Sequence, residues 1–343
     1  MATIREVSKH AGVSVATVSR VVNGNKWVSE ATRLRVLESM EELGYEPNSF
    51  ARSLATNRSN TIGMVVGDLS GPFFGPMMQR AEQVIRDAGK HLIITSGHST
   101  LEEERDAVQF LLKRRCDALI LHLDLMPDEE IIELCDKSPL PIILVNRLIP
   151  ELADRCVSLD NEAGGYLATR HLLDLGHTRI AHITGPLYKS DARDRLAGYR
   201  RALETAGVPY DESLVVESDY LESGGAQALD RLKRREAEFT AVVGGNDLMA
   251  IGVINALRQQ GVRVPEQCSV VGYDDVVMSA YFVPALTTVR VPVDDFGADA
   301  ARLALKLCEG ASDTAQLRFQ PELVERQSTL AKGEVMAENL SLV

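Results

Sequence analysis

AGVSVATVSRVVNG, residues 11–24, is the stretch on which the reading of the whole chain turns. Just before it, Ile4, Val7 and Ala11 recur at helical spacing and predict a short helix over residues 3–11 with these three inward. Gly12 then interrupts, and a glycine can take the left-handed backbone that a tight helix–helix turn requires. Val13 is placed to plug that turn into a core. Ser14 reads as the N-cap of a second helix, Val15–Val22. Val18 and either Val21 or Val22 can face inward, which leaves Val15, Ala16, Ser19 and Arg20 on the open face. Asn23-Gly24 closes the helix. A third helix, capped by Ser29, runs through Ala31, Leu34, Leu37, Met40 and Leu43 to Gly44. The pattern is a helix-turn-helix.

Such a module can lay its second helix in a DNA major groove with its N-terminal residues against base edges. Arg20 can donate two hydrogen bonds to a guanine edge, and Val15 and Ala16 suit thymine methyls. Thr17 and Ser19 suit phosphates or base edges. A three-helix unit that packs on protein is the alternative. Charge bears on the choice. The chain of 343 residues has a net charge of −12. Its first 35 residues hold six basic against two acidic side chains, +4, so the remainder carries −16. A basic end on an acidic body fits nucleic acid at that end only, although a solvated basic helix face gives the same count.

The rest of the composition is ordinary: 45% hydrophobic and 25% charged, enough for a large core in two to three domains. Cys116, Cys135, Cys156, Cys268 and Cys308 are scattered, without metal-ligand spacing, and read as reduced core residues of a cytoplasmic protein. No signal core and no run of membrane-spanning length occurs, so no membrane partner is expected.

After the third helix, Pro47 is a stop and Asn48 can cap a short helix carrying Ala51 and Leu54 on one side. A polar linker with one stray leucine reads equally well. From Thr61 onward, apolar strand-like runs alternate with helical patterns. The strands are Thr61–Val66, His91–Thr95, Ala118–His122, Pro141–Val145, Val157–Leu159, Arg179–Thr184, Leu214–Glu217, Ala241–Val243, Ser269–Val271 and Thr287–Val291. Helices such as Met77–Ala88, Glu102–Arg115, Glu162–Leu175 and Leu248–Gln260 lie between them. Buried parallel sheets follow from continuous apolar strands. Ten strands exceed one compact unit, so the expectation is an α/β core of two doubly wound subdomains with a cleft between. The boundaries are 1–47 for the helix-turn-helix, 48–59 for the linker and 60–343 for the body. One subdomain spans roughly 60–160 with 292–320, the other 161–291 with 321–330.

Ligands in such sheets sit beyond the carboxyl ends of strands. Asp68, Phe73, Phe74 and Arg147 follow strands of the first half. Asn246 and Asp274 follow strands of the second, and Arg195 and Tyr220 read as lying in or beside loops. Carboxylates accepting from neighbouring hydroxyls, a guanidinium fork and aromatic faces together suit a small sugar. At least one of Phe73 and Phe74 is expected in the pocket. Asp247 and Asp275 read more simply as caps of the helices that follow them. Gly244-Gly245 lacks the further glycines of a phosphate loop. No HExxH, no Gly-x-Ser-x-Gly elbow and no nucleophile with a partner is present. His171 and His177 read as structural, and Asp274-Asp275 alternate sides of an extended chain, poor geometry for an acid–base pair. The expectation is therefore a protein that is not an enzyme and carries no cofactor or metal.

Ala11-Gly12-Val13-Ser14 and Thr17-Val18-Ser19-Arg20-Val21 resemble the signature of the LacI/GalR family of bacterial repressors. Val15-Ala16, Gly67-Asp68, Pro72-Phe73-Phe74, Asn146-Arg147 and Arg155-Cys156 are similar to its galactose-repressor and isorepressor branch. The resemblance runs to about Ser328. It implies a helix-turn-helix headpiece on a periplasmic-binding-protein-like core, acting as a homodimer on pseudo-palindromic operator DNA. Operator contacts are implied at Thr3, Ser14, Val15, Ala16, Thr17, Ser19, Arg20 and Asn23. Asn48, Ala51 and Leu54 join them from a hinge helix, with Leu54 as a minor-groove wedge. Effector contacts are implied at Arg195, Asn246 and Asp274, with Arg147 and Tyr220 beside them. The effector is expected to be a small sugar, galactose or a galactoside, acting as inducer. A corepressor, as in the purine branch, and a sugar-binding protein without DNA regulation are the alternatives. The segment after Thr329 lacks a leucine heptad, so a dimer is the expected unit.

Overall fold

The computed structural model describes residues 2–22, 27–45, 59–98, 100–311 and 317–333. The chain forms two compact units, one of residues up to Thr61 with Arg115–Asp117, the other of the remainder.

The small unit holds α1 (Ile4–His10), α2 (Val15–Val22) and α3 (Glu30–Glu42). Thr3 caps α1 in a capping box, its hydroxyl accepting from the Glu6 amide while the Glu6 carboxylate accepts from the Thr3 amide. Gly12 takes φ +66 between α1 and α2. The turn is locked on both sides, because Val13 N–H donates to the Ser8 carbonyl and Ser8 Oγ donates to the Val13 carbonyl. The core is Val7, Ala11, Val18, Val21 and Val36, with Val13, Met40 and Leu43 packed against it. The α3 phase differs from the expected one. Val36 and Ser39 face inward, Ser39 Oγ donating to the Arg35 carbonyl, while Leu34 and Leu37 stay exposed. Ser29 stands at the N-cap, but its hydroxyl pairs with that of Thr32 and caps no amide.

The large unit contains two six-stranded sheets. The first is built from β1 (Thr61–Val66), β2 (His91–Ser96), β3 (Ala118–Leu121), β4 (Ile142–Val145), β5 (Cys156–Leu159) and β11 (Leu317–Phe319), in the order β11-β5-β4-β3-β1-β2. The second uses β6 (Ile180–Thr184), β7 (Val215–Glu217), β8 (Ala241–Gly244), β9 (Ser269–Asp274), β10 (Thr287–Arg290) and β12 (Glu322–Val324), in the order β12-β10-β9-β8-β6-β7. The pairs β1–β3, β3–β4, β4–β5 and β5–β11 of the first sheet and β6–β7, β6–β8, β8–β9 and β9–β10 of the second are parallel, β10–β12 is antiparallel, and the register sets Ile62 opposite Ala118 and Ile180 opposite Ala241. Three-residue β11 and β12 are too short and too polar to stand out as apolar runs.

Helices α4 (Phe74–Asp87), α5 (Leu101–Lys113), α6 (Asp128–Lys137) and α12 (Val293–Cys308) belong to the first half. From α4 and α12, Met77, Ile85, Phe296 and Ala300 fill its core, and Phe296 stacks on Phe319 at 4.9 Å. The second half carries α7 (Asn161–Asp174), α8 (Ser190–Thr205), α9 (Glu222–Arg234), α10 (Asp247–Gln259) and α11 (Val277–Tyr281). His171 and His177 bond Thr329 and the Leu330 carbonyl, so both tie the last described segment to this half. Cys116, Cys135, Cys156 and Cys268 are buried, and Cys308 is half-buried. No described helix is long and apolar enough to cross a membrane.

Candidate nucleic-acid interface and ligand cleft

In the small unit, α2 divides cleanly. Val18 and Val21 are buried, while Val15, Ala16 and Arg20 are exposed, Val15 at 40%. Ser14 Oγ accepts from the Thr17 amide, which is the expected cap, and also pairs with the Thr17 hydroxyl. The helix N-terminus therefore presents small apolar side chains, with an arginine one turn on. Thr3 lies exposed, its hydroxyl engaged with Glu6. Asn23, Asn48, Ala51 and Leu54 lie outside the described residues.

The cleft of the large unit is built on strand ends. Arg195 is its centre and, contrary to a loop position, sits inside α8. Its side chain is 5% exposed. Nε donates to Asn161 Oδ1 and Nη1 to the Gly245 carbonyl, at 3.0 and 2.6 Å. The guanidinium lies 3.7 Å from the Tyr273 ring centroid and 3.7 Å from the carboxylates of Asp191 and Asp274. The packing of the α8 backbone at Arg195 against α7 needs Gly165, where a Cβ would collide with the Arg195 carbonyl oxygen. Asp274 is the last residue of β9, not a residue after it, and has φ +110. Burial pushes its carboxyl well above the usual range, with Arg195 opposing. Asn246 caps α10 by accepting from the Met249 amide and donates to the Tyr220 carbonyl. Tyr220, at φ +68, lays its ring over Gly185, where any Cβ would strike it. Its hydroxyl is buried without a hydrogen-bond partner.

The opposite lip is aromatic. Phe73 meets Phe74 edge to face at 5.2 Å, and Phe74 meets His122 likewise at 5.0 Å, so both phenylalanines line the cavity. His122 Nδ1 is buried and unpartnered. Asn146, at φ +59, completes this side. Three non-glycine residues with left-handed backbone around one cavity mark strain gathered at a site. The cavity is about 100 Å³. At its edge Lys189 Nζ pairs with Asp124 Oδ2 at 2.7 Å across the cleft. Burial opposes both charges, but neighbouring His122 and then Lys189 hold the Asp124 carboxyl below its usual range, and Asp124 holds the Lys189 ammonium above its own. Buried Glu104 fixes Asp124 by accepting from the amides of Asp124, Leu125 and Met126.

Phe73, Phe74, Arg195, Tyr220, Asn246 and Asp274 thus converge. Asp68 does not. It is exposed, and its carboxylate folds back on the amide and hydroxyl of Ser70, which lowers its pKa. Arg147 faces an adjoining chamber and pairs with Asp128 at 2.5 Å. Neither Asp247 nor Asp275 caps a helix. Asp247 accepts from Ser279, Thr288 and the Val276 amide, with burial raising its pKa to about 6. Asp275 pairs with Arg290 and Arg326. Gly244-Gly245 serves close packing, Gly245 N–H donating to the Ile183 carbonyl. Sequence reasoning missed His122, Lys189 and Asp191. His122 was absorbed into the strand that ends one residue earlier, and Lys189 and Asp191 flank the start of α8, which lacks an N-cap hydrogen bond.

A reading helix on one unit and a polar ligand cleft between two doubly wound sheets on the other define a ligand-controlled DNA-binding regulator. Residues 3–48 match the bacterial regulatory proteins of the lacI family, and residues 169–329 match the periplasmic binding protein-like domain. The chain is 46% identical over 330 residues to the HTH-type transcriptional regulator GalR of Salmonella typhimurium (strain SL1344), covering 96% of each chain. Among solved structures it is similar to the lac repressor dimer bound to operator and the anti-inducer ONPF. That match has TM-score 0.87 and 30% identity, over 96% of this chain and 99% of that one. A complex of the transcriptional regulator CelR with cellobiose matches at TM-score 0.72 and 32% identity, over 96% and 100%. The chain belongs to the lacI family of bacterial regulatory proteins.

Proposed function

We propose that this protein is an operator-binding transcriptional repressor whose DNA affinity is set by a neutral sugar, galactose or a galactoside, in the Arg195 cleft. The observation that carries the reading is the joint occurrence of two surfaces in one chain. One is the exposed Val15, Ala16 and Arg20 face. The other is a cavity that joins aromatic faces to a buried guanidinium and carboxylate. Hexoses present both C–H faces and vicinal hydroxyls, and this lining answers both. The repressing unit is a homodimer on a pseudo-palindromic site, since a two-fold protein reads a two-fold sequence. Exposed Val277, Met278, Tyr281 and Val283 give an apolar surface suited to a second copy. The sugar acts as inducer because it binds more tightly to the arrangement that holds DNA poorly. The hinge helix with Leu54 as wedge belongs to this reading through the family resemblance.

The test is operator binding by fluorescence anisotropy at fixed salt, titrated with galactose and then with other sugars and purines. Salt is held constant because phosphate contacts alone shift affinity by orders of magnitude. Release by a sugar is expected. Tightening by a ligand makes the protein corepressor-dependent, and absence of sequence-specific binding ends the repressor reading. In the same assay Val15→Tyr shifts operator preference by about 1–3 kcal/mol per altered base contact. Equal weakening on every DNA sequence removes Val15 from the reading face.

A further inference from the structure

Beside the aromatic cavity lies a second chamber of about 410 Å³, bounded by the loops after β3 and β4, the end of β5 and the start of α8. The two share a wall. Asn146 lines both sides, Lys189 and Asp191 face the small cavity, and Ser190 between them faces the chamber. Asp124 lines the chamber, so its ion pair with Lys189 closes the partition. Asn161, on the chamber side, accepts from Arg195 on the cavity side.

The chamber's chemistry narrows what it can hold. Of its arginines, Arg147 pairs with Asp128, Arg318 with Asp160 at 2.9 Å, and Arg193 donates to the Leu187 and Tyr188 carbonyls. Of the remaining carboxylates, Glu162 pairs with Arg201 and Asp124 with Lys189, and Asp194 adds one more beside Arg193, so the lining offers no surplus of positive charge to a phosphate or a uronate. Among the described residues no carboxylate, histidine or cysteine group can hold a metal ion. Ser158, only 3% exposed, lines the chamber, and its hydroxyl has no hydrogen-bond partner. A buried hydroxyl without a partner loses its hydration uncompensated, and a ligand hydroxyl at this position would restore it. The aromatic cavity is smaller than the roughly 300–1,000 Å³ usual for ligand sites, whereas the chamber falls within that range.

We propose that the effector is a neutral glycoside longer than one hexose. One ring is held by Arg195, Asn246 and Asp274, and the next occupies the chamber against Ser158. The Asp124–Lys189 pair parts to admit the bond between them, and its two charges turn to sugar hydroxyls. This rests on the sugar reading above and extends it to chain length.

The test is calorimetric titration of the full-length protein with galactose, glucose, lactose, melibiose and cellobiose. At least one disaccharide is expected to bind about tenfold or more tightly than either of its monosaccharides, as two or three added hydrogen bonds provide. Ser158→Ala removes a hydroxyl that bonds nothing in the protein, so the fold is kept. It should weaken the disaccharide about fivefold and leave the monosaccharide unchanged. Ser190→Phe fills the chamber and should abolish the disaccharide advantage alone. Monosaccharide binding with no tighter disaccharide overturns the two-ring effector and leaves the sugar-responsive repressor standing. A disaccharide advantage untouched by both variants overturns it too, by putting the second ring elsewhere. Binding of no sugar at all overturns both readings.

Discussion

The two sheets of the large unit share one strand order and face their common cleft with opposite chemistry. β1 to β5 with β11 repeat the arrangement of β6 to β10 with β12. The first sheet ends in Phe73, Phe74, His122 and Asn146. The second ends in Arg195, Asp191, Tyr220 and Asp274, charged groups removed from water. A doubly wound scaffold thus fixes where a ligand sits and leaves its chemistry to whichever residues terminate the strands. The second half, having buried charge, depends on each partner being present. The first half, which lines the small cavity with aromatic and neutral polar groups and keeps its buried Asp124 at the edge, tolerates loss within the cavity.

That asymmetry orders the expected effects of change. Arg195→Ala is the largest. It leaves Asp274 and Asp191 buried without a cation and should cost about 3–5 kcal/mol, measured by urea unfolding, together with all sugar response in the anisotropy assay. Retained sugar release would move the centre of the cleft elsewhere. Next is acid sensitivity. His182, in β6, is wholly buried, donates to the Val243 carbonyl and stacks on Tyr199, and burial lowers its pKa to about 4. The unfolded chain takes up this proton near pH 6.5 but the folded one only near 4. Its share of stability is therefore full above 6.5 and is lost as pH falls towards 4, about 3 kcal/mol in all. Asp247 has the opposite slope, since its raised pKa makes its share greatest in acid and smaller as pH rises through about 6. The comparison is thus wild type against His182→Gln, whose difference in stability should shrink between pH 7 and 4. A difference that stays constant with pH would exclude the histidine.

A smaller contrast concerns glycines. Gly165→Ala would press the Arg195 carbonyl and should destabilise by about 1–3 kcal/mol. Gly75→Ala, in α4 of the first half with open space around its Cβ, should instead stabilise by about 0.5–1 kcal/mol. Thermal melts that rank the two in reverse order break the comparison. The smallest effect is expected from Asp68→Asn. Its carboxylate serves its own turn, so sugar affinity should change less than about twofold, and stability by about 0.5 kcal/mol or less. A tenfold loss of sugar binding would return Asp68 to the cleft.

Much of this was legible in the chain because local rules and global packing agree. Gly12, Ser14 and the valines of α2 announce the turn, the cap and the buried face within a dozen residues. The β1 and β9 runs are apolar enough to read as buried strands. What escaped did so for physical reasons. The α3 phase buries Val36 together with Ser39, a polar residue made compatible with burial by bonding back to the Arg35 carbonyl, and a hydrophobicity pattern cannot register that. Asp68 carries the right chemistry at the right strand end, but a serine two residues on captured it. The Lys189–Asp124 pair joins residues distant in sequence, and no periodicity links them.

The chain passes between the two sheets three times, from β5 to α7, from β10 to α12 and from β11 to β12. The passes are stitched together. Asp160 N–H donates to the Phe319 carbonyl, Arg318 pairs with Asp160, and Arg290 pairs with Glu322. In mechanical terms this is a three-strand bar. A single connecting strand would constrain the halves at one point, whereas three cross-linked ones constrain them at three. Asp274 is geared to that bar, since its carbonyl accepts from the Val291 amide on the second pass. A ligand that touches Asp274 therefore sits one backbone hydrogen bond from a strand that joins the two halves.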